Sequence, residues 1–206
     1  MNVVLNKALH APATARNREP ILAVLKEVLP AEGRLLEIAA GTGEHAVFFA
    51  GAFPDLQWHP SDPDPQARAS IAAHAAQAGH ANLHPALDLN VEEAAWEDAL
   101  EPPLDAILAV NLIHISPWEA TQGLMRGAAS LLCAGGPLIL YGPYRRHDRP
   151  TAPSNEAFDE SLRQRDPRWG LRYIESVSDL AAQHDLALEK VVEMPANNLT
   201  VIFRRR

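Results

Sequence analysis

The stretch Leu35-Leu36-Glu37-Ile38-Ala39-Ala40-Gly41-Thr42-Gly43-Glu44-His45 constrains the fold of this chain more than any other. Leu35, Leu36 and Ile38 suit a parallel strand covered on both faces. Gly41 and Gly43 permit backbone angles that a side chain forbids, and they leave room for a ligand against the main chain. Val47, Phe48, Phe49 and Ala50 then supply apolar helix surface. A strand, a glycine turn and a helix in that order form the crevice in which open α/β sheets bind ligands. Two cofactor readings share these letters. Gly41 to Ala46 fits the dinucleotide fingerprint G-x-G-x-x-[GA], with Asp62 about 20 residues on. The same residues fit E-x-[GA]-x-G-x-G, the glycine loop of enzymes that use S-adenosylmethionine (SAM). Glu37 favours the second, because an acid inside the strand balances the amino end of a methionine moiety and repels a pyrophosphate. A glycine turn without a ligand is the plain alternative.

With 206 residues, the chain suits one sizeable domain spanning 1–206. A hydrophobic content of 47% and a charged content of 21% are those of an ordinary globular protein. No apolar run reaches about 18 residues, so no membrane span is expected. Met1 to His10 lacks the charged start and apolar core of a signal peptide, which makes a cytoplasmic setting the default. The net charge of -8 argues against a broad grip on nucleic acid, which needs cationic surface. The single cysteine, Cys133, excludes an internal disulfide; its apolar run reads as a buried structural thiol. The nine histidines are scattered, and no H-E-x-x-H or paired-cysteine pattern occurs, so no metal is expected.

Residues 1–16 read as an irregular arm, and the helix after it as Asn17 to Leu29, with Asn17 as N-cap; arm and helix together cover 1–30. Ile21, Val24, Leu25, Val28 and Leu29 give that helix one apolar face. Strands are expected at Leu35–Ile38, Leu56–His59, Asn82–Leu87, Leu104–Val110 and Pro137–Tyr141. Helices are expected after the glycine loop, over 64–78, around Glu92–Leu100 and over Pro117–Leu132. This alternation argues a parallel sheet with right-handed crossovers. Residues 143–170 hold four prolines and six arginines and read as an inserted lid. A helix from Ser176 to His184 and two strands, Leu186–Met194 and Leu199–Phe203, finish the chain. The short polar link Pro195-Ala196-Asn197-Asn198 between those strands signals a hairpin. A dinucleotide fold ends on a further parallel strand, whereas the methyltransferase version of the doubly wound sheet ends on a hairpin.

The chain resembles the class I SAM-dependent methyltransferases. More closely, it resembles the domain of unknown function 938 family, which includes the animal methyltransferase-like protein 26. The stretches that carry the likeness are Arg16 to Ile21, Leu36 to His45, Trp58 to Asp62, Asn111 to Trp118 and Tyr141 to Tyr144. Ser154-Asn155 with Phe158-Asp159, Trp169 to Arg172 and Pro195 to Leu199 complete them. The resemblance implies a doubly wound, Rossmann-like α/β fold with a seven-stranded sheet and a C-terminal antiparallel hairpin. It also implies SAM as cofactor, across the carboxyl ends of strands one to four. Ala39, Gly41, Thr42, Gly43 and His45 would form the loop, with Ala39 in place of the commonest first glycine. Glu37 would hold the methionine end, Asp62 the ribose hydroxyls, and Asp88 and Leu89 the adenine, while Asn111 would face the sulfonium. Asp62 as an Asx-turn residue and Asp88 as a solvated acid are the simpler alternatives.

His114 is the titratable candidate for general-base assistance to an O or N acceptor, or else a packing histidine at a strand–helix junction. Tyr141 would orient the acceptor, or is a core tyrosine. Trp118, Tyr144, Arg145, Asn17 and Arg18 are the acceptor-side candidates. Asn111-Leu112-Ile113-His114 lacks the two prolines and the aromatic of the amino-methylating motif [DNS]-P-P-[YFW], which points away from nucleic acid. A small acidic acceptor, held by one of the arginines after the fifth strand, is the working expectation. The interleaved Asp148, Glu156, Asp159, Glu160 and Asp166 fit a solvated mixed-charge lid equally. A SAM-binding interaction module of degenerate activity and an NAD-dependent oxidoreductase are the competing function classes.

Overall fold

The computed structural model describes residues 8–206. The chain divides into two compact units, one up to Leu89 and one from Asn90. The first holds helix α1 (Pro12–Val28), strand β1 (Gly33–Ile38), helix α2 (Glu44–Ala52), strand β2 (Leu56–Pro60) and helix α3 (Pro65–Ala78). β1 and β2 pair in parallel, Leu35 opposite Trp58 and Leu36 opposite His59. Leu35, Leu36, Leu56 and Trp58 are fully buried, as a strand covered on both faces requires. α3 starts on Pro65, whose missing N–H costs nothing in a first turn, and Asp64 caps it by accepting from the Gln66 N–H. Gly79, at φ +69°, ends it.

The second unit contains β3 (Ala106–Val110), α4 (Trp118–Leu131), β4 (Pro137–Gly142), α5 (Pro153–Arg165), α6 (Ile174–Gln183), β5 (Leu186–Met194) and β6 (Asn198–Arg205). Its strands lie in the order β3-β4-β6-β5. β3 and β4 are parallel; β6 is antiparallel to both β4 and β5. The hairpin expected at the end of the chain therefore places β6 inside the sheet. β4 and residues 199–203 of β6 are buried throughout, and their apolar side chains form the core of this unit.

Several expectations are corrected. Six strands form among the described residues, not seven. Residues 82–87 do run beside β2, where the Trp58 N–H donates to the Asn82 carbonyl and the Leu87 N–H to the Pro60 carbonyl. Pro85 interrupts that run and offers no N–H to a ladder, so isolated bridges at Leu83 and Leu87 replace a strand. The arm expected over 1–16 lies outside the described residues as far as residue 7. From Pro12 it is helix, so Asn17 sits inside α1 and is not its cap. Pro12 at the first turn, followed by alanines, starts the helix without an apolar repeat to announce it. Around Glu92–Leu100 only one turn of 3-10 helix forms, at Trp96–Ala99. There the Trp96 indole packs on Gly127 and donates to the Gly123 carbonyl. Cys133 is half-buried rather than buried. The proline-rich stretch 143–170 contains α5, with Pro153 in its first turn. Among the described residues no helix is long and apolar enough to cross a membrane.

Candidate functional site

In the first unit the carboxyl ends of β1 and β2 are tied together through the glycine loop. Ala39, Gly41 and Gly43 all have positive φ, at +53°, +57° and +85°. The two glycines serve different ends. A Cβ on Gly43 would lie 2.7 Å from the Ile71 Cα, so Gly43 lets α3 pack against the loop. A Cβ on Gly41 would meet nothing within 4 Å. Gly41 thus presents bare backbone to open space, the arrangement a ligand lying on the main chain needs.

Asp62 follows β2 and is nearly buried. Its Oδ2 accepts from the Gly41 N–H at 2.9 Å, and its Oδ1 from the Asp64 N–H at 2.9 Å. The second bond is the Asx turn; the first clamps the glycine loop. Burial raises the Asp62 pKa, while the two N–H groups oppose the rise. Glu37 is 1% exposed and accepts from the Trp58 indole Nε1–H at 2.7 Å. Desolvation pushes its pKa up to about 7, against the Trp58 bond and with help from the Asp62 charge. A cation arriving beside Glu37 would restore its ionised form.

A strap from the N-terminal side crosses this loop. The Ala11 N–H donates to Glu44 Oε2 at 2.7 Å, and His10 Nδ1 lies 3.0 Å from Glu44 Oε1. The Leu9 N–H donates to Ser70 Oγ, which in turn donates to the Thr42 carbonyl. His10, Glu44 and His74 are a group whose donor atoms, within 4.8 Å of one another, come close enough to hold a metal ion. Those atoms already serve the strap, since His74 Nε2 donates to the Leu9 carbonyl at 2.8 Å.

Three further candidates, His45, Asn17 and Arg18, lie where α2 meets α1. His45 Nε2 meets Asn17 Oδ1 at 2.8 Å, joining α2 to α1, and burial lowers its pKa to about 4. Arg18 stacks its guanidinium over Phe48, 4.6 Å from the ring centre. Asp88 is exposed and held by both terminal nitrogens of Arg68, and Leu89 is buried beyond it.

In the second unit Asn111 ends β3 at φ +63°, its N–H donating to the Tyr141 carbonyl. His114 is 2% exposed, with its ring against Gly142 and edge-on to Phe158. A Cβ on Gly142 would stand 2.8 Å from the imidazole Cε1. Burial, and then the Arg172 charge, push the His114 pKa down to about 3. The ring is therefore neutral at pH 7 and a poor proton acceptor. Tyr141 is buried in β4 opposite Thr200. Trp118 opens α4 with the Arg172 guanidinium over its ring. Arg145 grips Glu156 with two N–H bonds of 2.7 and 2.6 Å and reaches Asp159 at 3.0 Å. It is thus engaged by carboxylates of its own chain. Tyr144 is buried, and its hydroxyl has no partner among the described residues. It lines a cavity of about 120 Å³ with Arg146, Arg149, Asn155 and Asn197. Arg146 and Arg149 are two of the arginines after the fifth strand that the sequence offers for an acidic acceptor; Asn155 and Asn197 were not among the candidates, although they lie in stretches that carried the resemblance.

Residues 8–205 match the family described as "Protein of unknown function (DUF938)". The chain belongs to the DUF938 family. Solved structures share its fold over 94% of its length. One is an O-methyltransferase family protein from Burkholderia thailandensis, 18% identical, with a TM-score of 0.78 and 57% of that chain covered. Another is the S-adenosylmethionine-dependent methyltransferase SibL, 19% identical, with a TM-score of 0.75 and 55% covered. A third is the mitomycin 7-O-methyltransferase MmcR, 16% identical, with a TM-score of 0.76 and 54% covered. This DUF938 chain thus spans little more than half the length of those proteins. What it has in common with them is the α/β fold.

Proposed function

We propose that this DUF938 protein is a SAM-dependent methyltransferase acting on a small-molecule O or N acceptor. The observation that carries the reading is the glycine loop: bare backbone at Gly41, clamped by Asp62, above the buried carboxyl of Glu37. Its fold is that of proteins named as methyltransferases. SAM, when bound, supplies a methyl group already activated by its sulfonium. The residues of the chain have the remaining tasks. Glu37 compensates the amino end of the cofactor. Asp62 accepts from the ribose hydroxyls with the lone pairs that Gly41 and Asp64 leave over. His114 is the candidate base toward the acceptor, and Tyr141 the group that would orient it. A base with a pKa of about 3 abstracts protons poorly at neutral pH. Alignment of donor and acceptor therefore carries more of this reaction than base catalysis does.

Calorimetric titration of the purified chain with SAM, and with NAD as control, tests the reading. Binding of SAM and not of NAD is expected, with at least tenfold loss in Asp62→Ala. NAD binding in place of SAM would move the protein to the oxidoreductases. SAM binding with no S-adenosylhomocysteine released, over a broad set of small acceptors, would make it an interaction module.

A further inference from the structure

Three stretches of the chain have no part in the glycine loop: Tyr141–Tyr144, Ser154–Asn155 and Pro195–Leu199. In the second unit they come together around the cavity of about 120 Å³. That is comparable to the ~150 Å³ that takes one benzene ring in a protein interior. Its wall is built and tied. Asn155 Nδ2 donates to the Asn197 carbonyl at 2.9 Å, and Asn197 Nδ2 to Ser154 Oγ at 3.2 Å. These bonds fix the start of α5 to the turn between β5 and β6.

Two features of the lining point to a ligand. The Tyr144 hydroxyl is buried without a partner, an arrangement that costs free energy unless an acceptor reaches it. Burial raises its pKa, so the group stays protonated and can donate. The second feature is a pair of guanidiniums. Arg146 and Arg149 share Glu193 Oε1, at 2.9 and 3.3 Å, and both contact Asp148. Both carboxylates are more than half exposed, so these pairs are weak and exchangeable. Each guanidinium has five N–H donors, more than these contacts use. The two carboxylates balance the two arginines, so a ligand carboxylate that replaces one of them keeps the cluster neutral, whereas a doubly charged anion does not. Leu199, Pro150 and Ala152 add apolar wall for a carbon skeleton.

We infer that this cavity binds a small monocarboxylate, with the Tyr144 hydroxyl and the Arg146–Arg149 pair holding the carboxylate. Its identity as the acceptor rests on the methyltransferase reading. The anion-binding role moves from Arg145, which is engaged with Glu156 and Asp159, to its two neighbours along the chain.

The test is a titration of the ¹⁵N-labelled full chain with propionate, hexanoate and benzoate, with benzamide as the neutral isostere and inorganic phosphate as the competing anion. The Arg Nε–H and Asn Nδ2–H₂ resonances are read. At least one carboxylate should bind tenfold more tightly than benzamide and phosphate, shifting Arg146, Arg149 and Asn155. Arg149→Ala should erase the preference for the anion, and Tyr144→Phe should weaken binding about fivefold at unchanged fold. Equal binding of benzoate and benzamide overturns the inference. So does binding unaffected by Arg149→Ala, a preference for phosphate, or no shift with any of the three acids. SAM, added separately and read at the Gly41 and Gly43 amides, keeps the two readings apart. A SAM response without a carboxylate response removes this pocket alone, and the converse removes the methyltransferase.

Discussion

The glycine loop of the first unit and the arginine-rich segment 143–172 of the second both hold irregular backbone in place, by opposite means. In the loop, backbone N–H groups point at side chains: Gly41 at Asp62, Ala11 at Glu44, Leu9 at Ser70. Its limits are space and backbone angle. In the segment, Arg145 and Arg163 converge on Asp159, which also takes the Leu171 N–H at 2.6 Å. Its limit is charge. The loop should therefore answer to the size of a side chain, and both regions to pH, with opposite signs.

The sharpest way to break this contrast is within the loop itself. Gly43→Ala puts a Cβ into the Ile71 backbone at φ +85°, and should cost on the order of 3 kcal/mol from strain plus overpacking. Gly41→Ala meets open space at φ +57° and should cost only about 1 kcal/mol, while weakening SAM binding more than Gly43→Ala weakens it per molecule folded. Denaturant midpoints and calorimetry on the two variants separate structure from binding.

Protonation gives the next effect, with opposite signs in the two regions. The folded-state pKa of Glu37 is raised, from the usual 4.5 to about 7. Between those values the folded chain holds a proton that the unfolded chain has lost, so stability falls as pH rises through that window. At ~1.4 kcal/mol per unit the fall is about 3 kcal/mol. Glu37→Gln should remove it, gaining stability at pH 8 and none at pH 4. Asp159 is shifted the other way: its pKa is lowered, burial opposing and the Arg163, Leu171 and Arg145 bonds prevailing. Its contribution is present above the ordinary Asp value and is lost as pH falls through the lowered one. Asp159→Asn should cost about 2 kcal/mol at pH 7 and progressively less as pH falls below the ordinary Asp range. Unfolding curves of both variants across pH 2–8 check the two signs together.

The smallest effect returns to the loop. Ala39 sits at φ +53°, where a Cβ is strained. Ala39→Gly should stabilise the chain by up to about 1 kcal/mol, read as a rise in the denaturant midpoint.

Local chemistry was legible where it also decides local structure. The strand Leu186–Met194, the helix at 65–78 and the glycine turn after Ile38 stand where periodicity and turn residues put them. Reading failed where one residue vetoes a pattern, as Pro85 does, or where helix forms without an apolar repeat, as at Pro12–Arg16. It failed again where partners are remote. The interleaved acids of 143–170 are an alternative partner for Arg145 in the sequence, but nothing local says which of them it meets; Glu156 and Asp159 lie 11 and 14 residues on. The cavity around Tyr144 draws its wall from the loop after β4, the start of α5 and the terminal hairpin. Each of those stretches is recognisable in the sequence, but only folding brings them together.

Trp58 lies fully buried with its indole N–H on the Glu37 carboxyl. That pairing makes the protein its own optical probe. An indole that donates to a carboxylate and one that donates to a neutral acid differ in excited-state quenching, so the emission of Trp58 should titrate with the midpoint of Glu37. A cationic ligand that ionises Glu37 would move the midpoint, and the proposed cofactor site could be followed by fluorescence without a label.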